Sequence, residues 1–273
     1  MKIGVLGCAG RMGRSVMAEV LADGHCDLIG GSVRSDSPAL GHDLGSLAGL
    51  AGIGIAATDD VRSVIDRADV VVEFTTPEAS LAHAALSAQA GTAHVLGATG
   101  LDDAAHAALR DLSARTPLLW AANMSQGVNL LLSAVEQVAR ALAPDLFDIE
   151  VVEMHHRDKV DAPSGTALAL GEAAARGRAV ALPEAARLSR EGLTGARPHG
   201  EIGFATLRGG DVVGEHVVIF AGKGERIELG HRATDRRIFA RGAVRAATWL
   251  AGRPPGLYDM LDVLGMRDTR RSG

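Results

Sequence analysis

Aromatic residues are scarce in this chain: one Tyr, two Trp and five Phe make up 3% of its 273 residues. That scarcity disfavours a base-stacking platform or an aromatic-rich β-sandwich. Long apolar runs are also missing. The nearest are short pieces such as Val70 to Val72 and Leu130 to Leu132, far below the roughly 20 residues that span a bilayer, so no membrane partner is expected. The formal net charge is only −5, which leaves no sequence-wide field for a phosphate polyanion, so nucleic acid is not an expected partner either. There are two cysteines, Cys8 and Cys26. Spacing leaves a disulfide between them open, and reduced thiols acting as small apolar residues are the simpler reading. The N-terminal MKIGVLG is followed closely by Arg11 and offers no signal-peptide core, so the chain reads as cytoplasmic.

What is abundant is small and aliphatic. Hydrophobic residues reach 47%, charged residues 22%, and there are 34 glycines. This is the balance of a layered α/β protein with an ample core, and the length sits between one large domain and two ordinary ones. Short β-branched runs alternate with helical patterns through the first third. Strands are expected at Ile3 to Leu6, Asp27 to Val33, Val70 to Phe74, Ala93 to Leu96 and Leu118 to Ala121. Helical periodicity follows the first of them (Val16, Met17, Val20, Leu21), starts again at Pro77, and fills Asp102 to Ser113. Strands separated by helices pair in parallel through right-handed crossovers, which predicts a doubly wound sheet.

The pattern changes near residue 127. A long apolar helix, Val128 to Leu142, precedes a strand from Asp148 to Met154. Three more strand-like stretches follow, Ile202 to Leu207, Val212 to Phe220 and Arg226 to Leu229, with Gly209-Gly210 and Gly222 to Gly224 reading as hairpin turns between them. A final Ala-rich helix, Arg236 to Leu250, suits packing back onto the first domain. The expected organisation is therefore one domain from 1–126 and 236–273 with a second, 127–235, inserted in it. Arg237, Arg241 and Arg245, at i, i+4 and i+8, read as a solvated or interfacial helix face, and Arg267, Arg270 and Arg271 as a frayed end.

Two segments carry chemistry. Gly7-Cys8-Ala9-Gly10-Arg11-Met12-Gly13 follows a strand and opens a helix, so its glycines permit a tight turn and the approach of a pyrophosphate to backbone N–H groups. Its spacing is GxxGxxG. An acidic residue about 20 positions on usually binds a ribose diol, but here Val33 and Arg34 stand at that point. Arg34 can pair a 2′-phosphate through its planar fork, which favours NADPH over NADH; otherwise it is a solvated strand-end charge. The second segment, Glu153 to Thr166, has seven ionisable residues among fourteen. It combines His155, His156, Arg157 and Lys159 with a helix start after Pro163, where Ser164, Gly165 and Thr166 supply backbone N–H groups. That is a cradle for a small carboxylate, with His155 and Lys159 as acid/base candidates; the alternative is a solvated loop capping a helix. Adjacent histidines without a thiolate make a poor metal site, and none is expected.

At these residues the sequence resembles the dihydrodipicolinate reductases of bacterial diaminopimelate and lysine biosynthesis. The resemblance runs through VLGCAGRMGR (5–14), EFTTPEA (73–79), GATG (97–100), AANMSQGVN (121–129), EMHHRDKVDAPSGTAL (153–168), SREGLTGAR (189–197), IGFATLRGGDVVGEH (202–216) and FARGAVRAATWL (239–250). It implies a Rossmann-type parallel-sheet domain with an inserted α+β substrate and oligomerisation domain built on an open mixed sheet, commonly assembled as a homotetramer. It also implies reduction of cyclic 4-hydroxy-tetrahydrodipicolinate by NAD(P)H with loss of water. On this resemblance His155 and Lys159 are catalytic, and His156, Lys159, Ser164, Gly165 and Thr166 hold the cyclic dicarboxylate. The cofactor positions are Gly7, Cys8, Ala9, Gly10, Arg11, Met12, Arg34, Gly97, Ala98, Thr99, Ala121, Ala122, Asn123 and Met124. The chain departs from the family pattern at Val33-Arg34, where many members have Glu-Arg, at Thr76, where many have Arg, and at Ala98, where many have Thr; NADPH stays the expected cofactor, with NADH weaker. A homoserine or sugar dehydrogenase would place its lysine elsewhere, and a nucleotide sensor would have no need of His155 and Lys159 together.

Overall fold

The computed structural model describes residues 1–267, so Arg270 and Arg271 lie outside the described residues. The chain forms two compact units, Met1–Ser125 with the residues from Arg237 onward, and Gln126–Arg236.

The first unit opens with β1 (Lys2–Leu6), α1 (Arg11–Ala22), β2 (Asp27–Ser32), α2 (Leu44–Leu47) and α3 (Val61–Arg67). It continues through β3 (Val70–Glu73), α4 (Pro77–Ala90), β4 (Ala93–Leu96), α5 (Asp103–Ser113) and β5 (Pro117–Trp120). β3 and β4 are buried along their whole length, as central strands covered on both faces must be, and are apolar except for Glu73 and His94. The helices start where their sequences supply a cap: Asp60 accepts from Ser63 N, Thr76 from Ala79 N with Pro77 in the first turn, and Asp102 from Ala105 N. Val16, Met17 and Val20 of α1 pack on one face of the sheet, while Val64 and Ile65 of α3, Ala84 of α4 and Leu109 of α5 cover the other. Cys8 and Cys26 are unbridged, and burial pushes the Cys8 thiol up to about 11.

The second unit holds α6 (Gln126–Ala141), β6 (Phe147–His155), α7 (Gly165–Gly177), α8 (Leu182–Ala185), β7 (Ala186–Arg187), β8 (Ile202–Arg208), β9 (Gly214–Gly222) and β10 (Glu225–Ala233). The chain then returns to the first unit as α9 (Arg237–Leu250), β11 (Gly256–Tyr258) and α10 (Met260–Val263). Ala243, Ala247 and Leu250 of α9 join the core beside α1, and Arg241 faces Glu19 of α1 at 3.4 Å.

The first sheet runs β11-β5-β4-β3-β1-β2, all parallel. The chain leaves β1 to one side for β2 and returns to the other side for β3, so the winding reverses at β1. Ligands of such sheets bind in the crevice outside the carboxyl ends at that reversal. The sixth strand, β11, goes beyond the sequence expectation: it is three residues long and sits directly after Pro254-Pro255, too short to announce itself by periodicity.

The second sheet is mixed, in the order β10-β9-β6-β8-β7, with β6 parallel to β8 and antiparallel to β9. Leu131 and Val135 of α6 and Leu170 and Ala174 of α7 cover the face formed by Ile149, Val151, Val218 and Phe220. Gly222 to Gly224 do make the β9–β10 hairpin. Gly209-Gly210 do not make a hairpin, because β6 lies between β8 and β9 and those two strands never pair. The local glycine signal was real, but β6 had already taken the edge that a hairpin would have used.

Candidate active site

Every proposed cofactor residue follows the carboxyl end of a strand of the first sheet. Gly7 to Met12 follow β1, Arg34 follows β2, Gly97 to Thr99 follow β4, and Ala121 to Met124 follow β5. Gly7 has φ +70°, which an L side chain rarely adopts. A Cβ on Gly13 would stand 2.4 Å from the Gly7 carbonyl oxygen and 2.8 Å from Cys8 Cα, so only glycine lets the loop lie this close to α1. Gly10 caps α1 with no side-chain hydrogen bond, which leaves its first-turn N–H groups to another acceptor. Cys8 N–H donates to the Ser32 carbonyl at 2.9 Å and Trp120 Nε1 to the Ala98 carbonyl at 3.0 Å, tying neighbouring loops together. Arg34 projects into solvent and lies 3.4 Å from Asp36. The residues fit a dinucleotide phosphate: glycine turn, open helix start and an exposed guanidinium stand at one edge.

In the second unit the chemistry sits at the end of β6. Alternation puts Ile149, Val151, Glu153 and His155 on one face, so the apolar core row ends in a carboxylate and an imidazole. Register then supplies their neighbours. His155 stands opposite Arg208 of β8, and Glu153 opposite His216 of β9, itself opposite His231 of β10.

Glu153 is 1% exposed and accepts four hydrogen bonds, from Arg208 Nη1 (2.8 Å), Arg208 Nη2 (3.0 Å), His155 Nδ1 (2.6 Å) and Ser164 N (3.1 Å). Burial works against its charge, but Arg208, His155 and the Ser164 N–H outweigh it and hold its pKa below the usual carboxylate range. An ionised carboxylate accepts only, so His155 donates through Nδ1 and carries its lone pair on Nε2. Burial pushes the His155 pKa down, Glu153 opposes this, and Lys159 and Arg208 reinforce it, so the imidazole is neutral at pH 7. Lys159 Nζ donates to both oxygens of Asp161, at 2.7 and 2.8 Å. Arg236 Nη2 donates to His156 Nε2 at 3.0 Å.

A cis peptide bond joins Ala162 and Pro163 immediately before α7. Ser164 caps α7 by accepting from Ala167 N at 3.1 Å, and its Oγ also meets His216 Nε2 at 3.1 Å. A Cβ added to Gly165 would meet nothing within 4 Å, so the start of α7 faces open space beside Thr166. Among the described residues no cluster has the donors for a metal ion, and no helix is long and apolar enough to cross a membrane.

The structure thus gathers His155, Lys159, Ser164, Gly165 and Thr166 around the β6–α7 connection, with His156 turned toward Arg236. Glu153, Arg208, His216 and Arg236 were not singled out by the sequence. The Glu153-x-His155 alternation was a usable signal; Arg208 and His216 come from register alone.

His216 gives this cluster a pH signature. It is 4% exposed, and burial, reinforced by His155, lowers its pKa from 6.5 to about 4. Between those values the unfolded chain binds a proton that the fold does not, so stability present above pH 6.5 is lost as pH falls toward 4, by up to about 3 kcal/mol. His155 and His231, both depressed by burial, act in the same direction. Urea denaturation across this window is expected to show a shallower pH dependence in His216→Asn than in the wild type; an equal dependence would place the proton uptake elsewhere.

Comparison with known proteins gives one answer along the whole chain. Residues 1–124 match the family model described as dihydrodipicolinate reductase, N-terminus, and residues 127–264 match its C-terminus counterpart. A 4-hydroxy-tetrahydrodipicolinate reductase of Methylocella silvestris is 55% identical over 98% of both chains, and one of Brucella abortus is 51% identical over 97% of this chain and 99% of its own. Among solved structures, dipicolinate-bound dihydrodipicolinate reductase from Paenisporosarcina sp. TG-14 shares the fold, with a TM-score of 0.78 at 24% identity over 96% of this chain and 98% of its own.

Proposed function

The chain belongs to the dihydrodipicolinate reductase family, and from that premise we propose how its residues carry out the family's reaction. That reaction is the NAD(P)H-dependent reduction of 4-hydroxy-tetrahydrodipicolinate to tetrahydrodipicolinate, with loss of water, in lysine and diaminopimelate biosynthesis. The observation that carries the assignment of roles is the convergence at the end of β6. A neutral imidazole backed by a buried carboxylate, a lysine four residues on, and a helix start beneath open space lie within one connection.

NAD(P)H, when bound, supplies the hydride. Gly7 to Met12 hold its pyrophosphate on the α1 N-terminus, with Gly97 to Thr99 and Ala121 to Met124 completing the carboxyl edge. The substrate is a dianion at neutral pH. Backbone N–H groups of Gly165 and Thr166 receive one carboxylate with help from the α7 dipole and Ser164, and His156 and Lys159 hold the other end of the ring. Substrate must draw Lys159 away from Asp161 to do this. Lys159 then gives its proton to the ring atom that turns basic during reduction, and His155, through Nε2, acts as the paired acid/base. The face of the second sheet turned away from α6 and α7, where exposed Leu207 lies beside Met154, supports a homotetramer. Dependence on the intracellular NAD(P)H pool supports a cytoplasmic setting.

NADPH is the preferred cofactor, because Arg34 offers a guanidinium to a 2′-phosphate and no carboxylate occupies position 33 to hold a ribose diol. Turnover with each dinucleotide tests this. The wild type is expected to show kcat/KM about tenfold or more higher for NADPH, and Arg34→Ala to remove most of that difference by weakening NADPH alone. Equal use of both dinucleotides by the wild type would overturn the preference.

A further inference from the structure

Glu73, the last residue of β3, is wholly buried in a strand otherwise made of valine. Its Oε2 accepts from Thr75 Oγ1 at 2.7 Å and from His83 Nδ1 at 2.8 Å. Its Oε1 lies 3.1 Å from His94 Nε2 of β4, within ion-pair distance but not aligned as a hydrogen bond. His94 Nδ1 in turn meets Ser87 Oγ of α4 at 3.1 Å, and Thr75 Oγ1 meets Ser80 Oγ at 3.1 Å. Burial works against the charge, yet the two imidazoles outweigh it and keep Glu73 well below the usual carboxylate range. A buried carboxylate held this way is a poor source of stability, since apolar residues of similar volume commonly serve as well or better. Its use has to be sought in what it holds.

What it holds is the turn after β3. Thr75 Cγ2 stands 2.8 Å from the position a Cβ on Gly7 would take, and the Phe74 ring 2.3 Å from the corresponding position on Gly97. The two residues after Glu73 are therefore wedged against the first glycines of the loops following β1 and β4. We propose that Glu73 and His83 are positioning residues for the dinucleotide: by fixing the Thr75 hydroxyl they hold the β3–α4 turn against Gly7 and Gly97 and set the spacing of two cofactor loops. His94 backs the same carboxylate from β4. The proposal rests on the reading that these loops receive the dinucleotide. Glu73, His83 and Thr75 need not touch the cofactor themselves.

The test is NADPH binding to the full chain by fluorescence titration, with steady-state KM values alongside. Thr75→Val keeps the methyl against Gly7 and removes the hydroxyl, and is expected to raise the NADPH Kd about tenfold, as loss of a hydrogen bond to a charged group would. Thr75→Ser keeps the hydroxyl and is expected to stay within about threefold, and KM for the dicarboxylate within about twofold, for both variants. His83→Ala takes one partner from the buried carboxylate and is expected to lower Tm and, at a temperature where the variant is folded, to raise the NADPH Kd about threefold with KM for the dicarboxylate within about twofold. Wild-type affinity in both Thr75→Val and His83→Ala overturns the proposal. So does equal weakening by Val and Ser, or a parallel rise in substrate KM, since either would mean general loosening. If the wild type itself fails to bind NADPH, the dinucleotide assignment falls first and the proposal with it.

Discussion

Lys159→Ala is expected to lower kcat by about a thousandfold, the size of a lost general acid, while raising KM for the dicarboxylate far less. Lys159 combines a binding charge with a transferable proton, and the two roles leave different kinetic marks. A lysine that only paired a carboxylate would act equally on ground state and transition state, so its loss would raise KM and spare kcat. In the structure Nζ rests on both oxygens of Asp161, an exposed partner that a substrate carboxylate can replace without a desolvation penalty. Lys159→Arg separates the roles further. It keeps the charge but cannot give up its proton, so it is expected to recover KM and leave kcat low. Recovery of kcat by Arg would reduce Lys159 to a binding residue.

The second large effect is expected at Glu153, which is buried behind His155. Glu153→Gln replaces an oxygen that accepts from His155 and Arg208 by an amide that can donate, so one of those partners loses its acceptor inside a buried site. Two consequences follow. His155 is no longer held as the tautomer with its lone pair on Nε2, and kcat is expected to fall about a hundredfold or more. Arg208, which also donates to the Asp161 carbonyl at 2.6 Å, keeps a charge that has lost its counterpart, and stability is expected to drop by about 2–4 kcal/mol. Stopped assays at a temperature where circular dichroism shows the variant folded separate the two. Full kcat in folded Glu153→Gln would mean that His155 does not depend on its tautomer.

Much of this site was legible in the chain because local chemistry carried it. The glycine turn after β1, the charged run from Glu153 to Asp161 and the Pro163-Ser164 helix start are contiguous, and each is recognisable from backbone rules alone. The partners that make the site work are not contiguous. Arg208 reaches Glu153 across 55 residues and His216 reaches Ser164 across 52, both through the pairing of β6 with β8 and β9. Reading Gly209-Gly210 as a hairpin hid that pairing, since it would have put β8 and β9 side by side and left β6 at an edge. Glu73 was equally silent. A carboxylate ending a valine strand reads as the exit to solvent, and only the approach of His83 from α4 and His94 from β4 turns it into a buried centre. β11 was out of reach for a simpler reason, having three residues and no periodicity to show.

Turnover of the cyclic dicarboxylate is the most direct test of these roles. 4-hydroxy-tetrahydrodipicolinate, formed in place from pyruvate and aspartate semialdehyde by a coupling synthase, is expected to drive oxidation of NADPH by the wild-type chain, with none when either precursor is withheld. A folded chain that binds NADPH and leaves it unoxidised under those conditions would contradict the account.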